Sequence, residues 1–162
     1  MASYTCSIVI PVYNSAETLT PLVERLAGVL PQIAKEFEVI LVNDGSPDES
    51  WQIITGLCQK YVWLRGISLM RNYGQHNATL CGVREARHEI IITMDDDLQH
   101  PPEEIPRLLD KLSEGYDVVY GVPKKRPHSW WRNWFSVVAK RVLAQVMGIK
   151  TIRDIGAFRA FR

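Results

Sequence analysis

Asp95, Asp96 and Asp97 stand in a row, and Asp95 and Asp97, two residues apart, point the same way if the segment is extended. Carboxylates this close resist joint ionisation unless a cation lies between them. An all-oxygen pair suits Mg²⁺ or Mn²⁺, which usually complete their shells with substrate phosphates. The plainer reading is a solvated acidic turn that caps the next helix. Asp44, which also ends an apolar run, could accept a hydrogen bond from the ring N–H of uracil or guanine, or form an Asx turn before Gly45. Tyr13, after a third apolar run, could stack on a base or pack at a strand end. No Gly-x-Gly-x-x-Gly follows an apolar run and no P-loop is present, which argues against dinucleotide dehydrogenases and P-loop NTPases. Without those loops, a bound diphosphate needs a metal to offset its charge.

These groups gather only if the elements carrying them share an edge. Buried-type runs at 6–12, 37–42, 64–70, 89–94 and 116–122 predict five strands. Between them, Thr20-Pro21 predicts a helix start, with Pro31 ending or kinking that helix. Ser46-Pro47-Asp48-Glu49 predicts a capping box with Pro47 at the first helical position. A helix with small residues is expected over about 75–87, and another opens at Pro101-Pro102. Alternating strands and helices predict an α/β fold, a Rossmann-like, mainly parallel sheet with helices on both faces. In such sheets a ligand sits beyond the carboxyl ends of the strands, near a switch in strand order. A phospho-acceptor receiver domain shares the acidic strand end but expects a Lys at a late strand end in the acidic pocket; none stands at the end of the fifth strand, and residues 123–162 have no place in such a domain.

The chain of 162 residues has the length of one ordinary domain, and its 23% charged residues argue against disorder. Net charge is +1, yet residues 1–120 carry 9 Lys/Arg against 17 Asp/Glu, and residues 121–162 carry 10 against one. The acidic part suits a cation, the basic part an anion such as phosphate, nucleic acid or anionic lipid. Three scattered cysteines, Cys6, Cys58 and Cys81, predict buried thiols in a reducing compartment. No run of 18 apolar residues occurs, and the N-terminus lacks the basic region of a signal peptide. Residues 129–148 read as an amphipathic helix with Trp131, Trp134, Phe135, Val138 and Val142 in one stripe, which packs on the sheet, lies on an anionic membrane, or does both.

The runs Ser7-Ile8-Val9-Ile10-Pro11-Val12-Tyr13-Asn14, Val42-Asn43-Asp44-Gly45-Ser46, residues 94–102 and Asp154-Ile155-Gly156-Ala157-Phe158-Arg159 together resemble the inverting family 2 glycosyltransferases of GT-A fold. The similarity is greatest to the polyprenyl-phosphate branch, which holds dolichyl-phosphate mannose synthase and bacterial undecaprenyl-phosphate glycosyltransferases. Residues 71–76 and 97–103 look most like the bacterial members. The chain departs from the pattern at Ser15, Pro123 and Ala157, where Glu, Arg and Asp are common.

The resemblance implies a nucleotide-sugar-binding core over 1–122. Residues 123–162 then form a basic loop, the amphipathic helix and the start of an acceptor region. Pro11, Tyr13, Val42 and Asp44 would hold the base of a nucleotide-sugar, UDP-sugar favoured and GDP-sugar possible. Asp95, Asp97 and Gln99 would hold Mg²⁺ or Mn²⁺, with Asp95 and Asp97 also near ribose and diphosphate, and Arg126 and Arg159 would meet phosphates of donor or acceptor. The implied reaction is an inverting transfer to a lipid phosphate such as undecaprenyl phosphate. It is set at the cytoplasmic face of a membrane, with no nucleic-acid partner and with membrane segments beyond residue 162. A non-catalytic nucleotide-sugar-binding module of the same fold is the alternative.

Overall fold

The computed structural model describes residues 4–122 and 157–162. Five strands and four helices alternate: β1 (Tyr4–Val12), α1 (Ala16–Ile33), β2 (Ala34–Asn43), α2 (Ser50–Lys60), β3 (Leu64–Ser68), α3 (Gln75–Glu85), β4 (Ile90–Thr93), α4 (Ile105–Ser113) and β5 (Val118–Tyr120). A sixth strand, β6 (Arg159–Phe161), completes one sheet in the order β3-β2-β1-β4-β6-β5. The first four positions in that order are parallel, and β6 runs antiparallel to both β4 and β5. The predicted mainly parallel α/β sheet is therefore present. β6 was not expected; three residues carry too little periodicity to read as a strand.

The described residues 4–121 and 157–162 belong to one compact unit. The β6 segment thus returns to the core, although from sequence it belongs with the tail. The basic loop 123–129, the amphipathic helix 129–148, Pro123 and Arg126 lie outside the described residues.

Alternation along the strands explains the two faces. Ile8, Ile10 and Val12 of β1, with Leu41 of β2, are buried in the larger cluster beneath α1, α2 and α4. Val9, Ile40 and Val42 point the other way, onto α3. There Ala78 and Gly82, four apart on α3, let the helix lie close: a Cβ on Gly82 would stand 2.4 Å from Val9 Cγ1 and 3.0 Å from Val42 Cγ2.

Three local expectations give way to tertiary forces. The first helix starts at Ala16, not at Pro21, and runs through Pro31 to Ile33. Both prolines sit on its exposed side, so water can hydrate the carbonyls they leave free. The buried stripe Leu19, Leu22, Val23, Leu26 and Leu30 holds the helix together across them. The Ser46-to-Glu49 capping box does not form; α2 starts at Ser50, whose N–H donates to Asp48 Oδ1 at 3.1 Å. Of the cysteines only Cys6 is buried, its thiol pushed up to about 12 by that burial, whereas Cys58 and Cys81 are half-buried; all three are free.

The amino edge of the sheet is closed by Glu38, a buried carboxylate on β2. Its Oε1 accepts from Ser7 Oγ at 2.8 Å and from the Arg87 N–H at 2.7 Å, and its Oε2 accepts from Arg65 Nη1 at 2.9 Å. Arg65 also donates to the Glu85 carbonyl, so the network pins the end of α3. Burial alone would raise the Glu38 pKa; the Arg65, Arg87 and Ser7 donors outweigh it and hold the carboxyl below its ordinary value. A depressed folded-state pKa contributes stability that is complete above the unfolded value of about 4.3 and is lost as pH falls through the folded value. Glu38→Gln is expected to lower the melting temperature at pH 7 by roughly 5 °C or more. In thermal melts from pH 7 to 3, the gap between variant and parent should narrow below about pH 4.3.

Candidate functional site

The crossovers after β1 and β2 step toward β3, while β4 lies on the other side of β1, so strand order switches between β1 and β4. The β1–β4 ladder ends at Val9, whose carbonyl accepts from the Met94 N–H. Two residues on, Pro11 faces the same side and has no N–H to extend the ladder. The strands therefore part there, and a cleft of about 340 Å³ opens at their carboxyl ends. Pro11 and Val12 line it from β1, Tyr13 and Asp44 from the residues that follow β1 and β2, Asn72 and Gln75 from the segment after β3, and Asp95, Asp96 and Asp97 from the segment after β4.

Five of the expected residues meet in this cleft: Pro11, Tyr13, Asp44, Asp95 and Asp97. Tyr13 is half exposed at its rim. Val42 is not in the cleft lining; it faces the same side of the sheet as its ladder partner Pro11 and is buried there against α3. Gln99 is exposed and does not line the cleft; its main-chain N–H donates to Asp97 Oδ1 at 3.0 Å. Arg159 stands on β6, paired with Thr93 of β4 and Tyr120 of β5, outside the cleft lining. Its Nε is buried with no hydrogen-bond partner among the described residues. The stack of His100 on Phe158, ring centres 5.0 Å apart, ties the acidic segment to the residue before Arg159.

Asp44 is only 2% exposed, and both its oxygens are in use. Oδ1 accepts from the Tyr73 N–H at 2.7 Å and Oδ2 from the Gly74 N–H at 2.8 Å. The Asx-type bond of this turn is made instead by Asn43, whose Oδ1 accepts from the Ser46 N–H at 3.2 Å. Asp44 thus holds the 72–75 wall against the sheet while lining the cleft. Gly45 permits that approach: its φ is +64°, and a Cβ there would stand 2.5 Å from the Arg71 carbonyl carbon.

Across the cleft the carboxylates are poorly compensated. Burial, then the charges of Asp97 and Asp96, raise the Asp95 pKa against the relief given by His100 and Gln75. Burial also raises that of Asp96, beside Ser15 and the Tyr13 main chain, and its Oδ2 is buried without a partner at hydrogen-bonding geometry. Such crowding is what a cation relieves, and hard oxygen donors fit Mg²⁺ or Mn²⁺. Among the described residues no three His, Cys, Asp or Glu side chains converge as a ready-made cage, so an ion here would draw ligands from elsewhere as well.

The family model of Glycosyl transferase family 2 matches residues 7–162. The chain belongs to that family. This glycosyltransferase domain is 40% identical, over 99% of its length, to the undecaprenyl-phosphate 4-deoxy-4-formamido-L-arabinose transferase of Enterobacter sp. (strain 638). It spans 50% of that relative's length. S. aureus TarS 1-349 in complex with UDP is 26% identical, with a TM-score of 0.60 over 78% of this chain and 40% of that one. Glucosyl-3-phosphoglycerate synthase from Mycobacterium tuberculosis, in complex with Mn²⁺, UDP and phosphoglyceric acid, covers 97% of this chain and 55% of its own at a TM-score of 0.71 and 19% identity; it shares the fold. The GT-A α/β fold expected from the motifs is thereby shown. No helix among the described residues is long and apolar enough to cross a membrane.

Val12, Asn72 and Gln75 also line the cleft although sequence motifs did not single them out as site groups, and Asp96, read only as the middle of the acidic row, lines it too. Gln75 Nε2 donates to Asp95 Oδ1, linking the third and fourth strand ends. The usable signal was positional, since every parallel strand delivers its following residues to the same edge. Asp44→Asn would place an amide N–H₂ against one of the Tyr73 or Gly74 N–H groups, at a cost of about 1–3 kcal/mol. Amide hydrogen exchange at Tyr73 and Gly74 should accelerate in that variant while the Arg87 amide, bound to Glu38, keeps its protection.

Proposed function

We propose that this domain binds a nucleoside-diphosphate sugar, with a UDP-sugar favoured over a GDP-sugar, in the switch-point cleft. It transfers the sugar with inversion to a polyprenyl phosphate of the undecaprenyl type. The observation that carries the reading is the meeting of Tyr13 and Asp44 with Asp95 and Asp97 around one cleft of about 340 Å³. One side offers an aromatic face and an acceptor, as a base requires; the other offers carboxylates, as a metal-bound diphosphate requires. Support for UDP comes from the TarS complex, and support for the lipid-phosphate acceptor from the transferase at 40% identity.

In this reading Tyr13 stacks on the base and Pro11 bounds its pocket. The lone pairs that Asp44 keeps beyond its two loop bonds receive a ring N–H. Asp95 and Asp97, with Gln99 as an outer contributor, would hold Mg²⁺ or Mn²⁺. When bound, such an ion offsets the charge that develops on the leaving diphosphate. An acceptor phosphate oxygen forms the new bond to the anomeric carbon on the face opposite the departing nucleoside diphosphate, which inverts that centre. A phosphate monoester is largely dianionic at neutral pH, its second pKa being about 6, so no general base is needed. Arg126 and Arg159 then orient an anion and move no proton. The excess of basic residues over 121–162 and the apolar stripe at 131–142 suit an anionic membrane surface at its cytoplasmic face.

Isothermal titration with UDP, with and without Mn²⁺, tests the donor site. Mn²⁺ should strengthen UDP binding, and Asp97→Asn should remove that gain, at least about tenfold for a charged ligand group. The same variant should melt slightly higher than the parent without nucleotide, because it relieves the repulsion on Asp95. Equal UDP affinity in parent and variant overturns the metal-and-diphosphate assignment. Transfer of radiolabelled sugar to undecaprenyl phosphate separates the enzyme from a binding module.

A further inference from the structure

The segment 46–50 departs from its expected capping box, and the reason lies 32–35 residues away in the chain. Three consecutive main-chain amides after Tyr13 find partners on its alternate side chains. The Asn14 N–H donates to Ser46 Oγ at 3.1 Å, the Ser15 N–H to Ser50 Oγ at 3.0 Å, and the Ala16 N–H to Asp48 Oδ2 at 3.1 Å. Asp48 spends its other oxygen on the Ser50 N–H, so one carboxylate joins the amino ends of α1 and α2, where helix dipoles favour a negative charge. Ser50 is fully buried. Asn14 is held at φ +58°, a conformation that few non-glycine residues adopt without support. Ser15 Oγ donates to the Tyr13 carbonyl at 3.0 Å, which carries the constraint back to Tyr13.

We propose that Ser46, Asp48 and Ser50 are positioning residues of the donor site: they clamp the 14–16 amides and thereby set where Tyr13 stands in the cleft. This rests on the reading that Tyr13 meets the base. The connection from β2 to α2 then fixes both walls, since Asp44 at its start holds the 73–74 amides. None of the three clamp residues lines the cleft, so their effect on a ligand must pass through the main chain they hold.

A double-mutant cycle on the full chain tests the clamp, with UDP and Mn²⁺ as probe. Asp48→Asn and Ser50→Ala should each raise the UDP dissociation constant by about three- to tenfold, the effect of one lost hydrogen bond to a fixed group. Combined with Tyr13→Ala, Asp48→Asn should add less than about twofold, because both changes remove one contribution. Ser7→Ala, which breaks a buried bond to Glu38 at the opposite edge, controls for general destabilisation; it should lower the melting temperature and leave UDP affinity unchanged. Without nucleotide, hydrogen exchange at the Ala16 amide should accelerate in Asp48→Ala, which removes both acceptor oxygens, and at the Ser15 amide in Ser50→Ala. Fully additive effects of Tyr13→Ala and Asp48→Asn, or unchanged exchange at 15 and 16, overturn the clamp alone. A Tyr13→Ala variant that binds UDP as the parent does overturns the base-stacking assignment, and the clamp's role in binding falls with it.

Discussion

The parting of β1 from β4 beyond Val9 is the constraint on which the rest of the site depends. Parallel strands whose connections run in opposite directions leave a crevice where the order switches. Here Pro11 keeps it open, because it has no N–H to offer the side on which β4 has ended. Every group in the cleft is then placed by a strand that stops at this edge. Tyr13, Asp44, Gln75 and Asp95 come from four connections and meet because the sheet delivers all four to one place.

Two sets of carboxylates show how the same chemical group serves opposite ends. Glu38, at the amino edge, is buried with Ser7, Arg65 and the Arg87 amide, and its pKa is depressed. Its burial is compensated, and it holds strands and α3 together. Asp95 and Asp96, at the carboxyl edge, are partly buried beside like charge, and their pKa values are raised. The fold tolerates this local cost at one edge and offsets it elsewhere, the pattern expected where a protein keeps charge available for a ligand. The proposed function gives that inequality a purpose, since an anionic diphosphate would have to be met without the glycine-rich phosphate loops that this sequence lacks.

The connection from β2 into the first residue of α2 serves the main chain on both sides of it. Within seven residues it supplies Asp44 to the 73–74 amides, Gly45 to the close approach of residues 71–72, and Ser46, Asp48 and Ser50 to the 14–16 amides. Loops that satisfy each other's main-chain groups in this way are rigid without a hydrophobic core of their own. That suits the proposed donor site, in which an aromatic face and a carboxylate would be kept in register.

The sequence by itself determined the strand–helix alternation, because burial repeats locally every two or 3.6 residues, and with it the edge where Pro11, Tyr13, Asp44, Asp95 and Asp97 would meet. Local signals failed where a distant partner decided the outcome. Thr20-Pro21 reads as a helix start, yet the buried leucine stripe carries α1 from Ala16 across both prolines. Ser46 to Glu49 reads as a cap for its own helix, yet its side chains serve the amides of residues 14–16. Val42 belongs to a cleft motif by resemblance, yet α3 packs over it through Ala78 and Gly82 and keeps it out of the lining. β6 is invisible in three residues because a strand slotted between two others is specified by its neighbours' unpaired main chain, and those neighbours are fixed only once the sheet has formed.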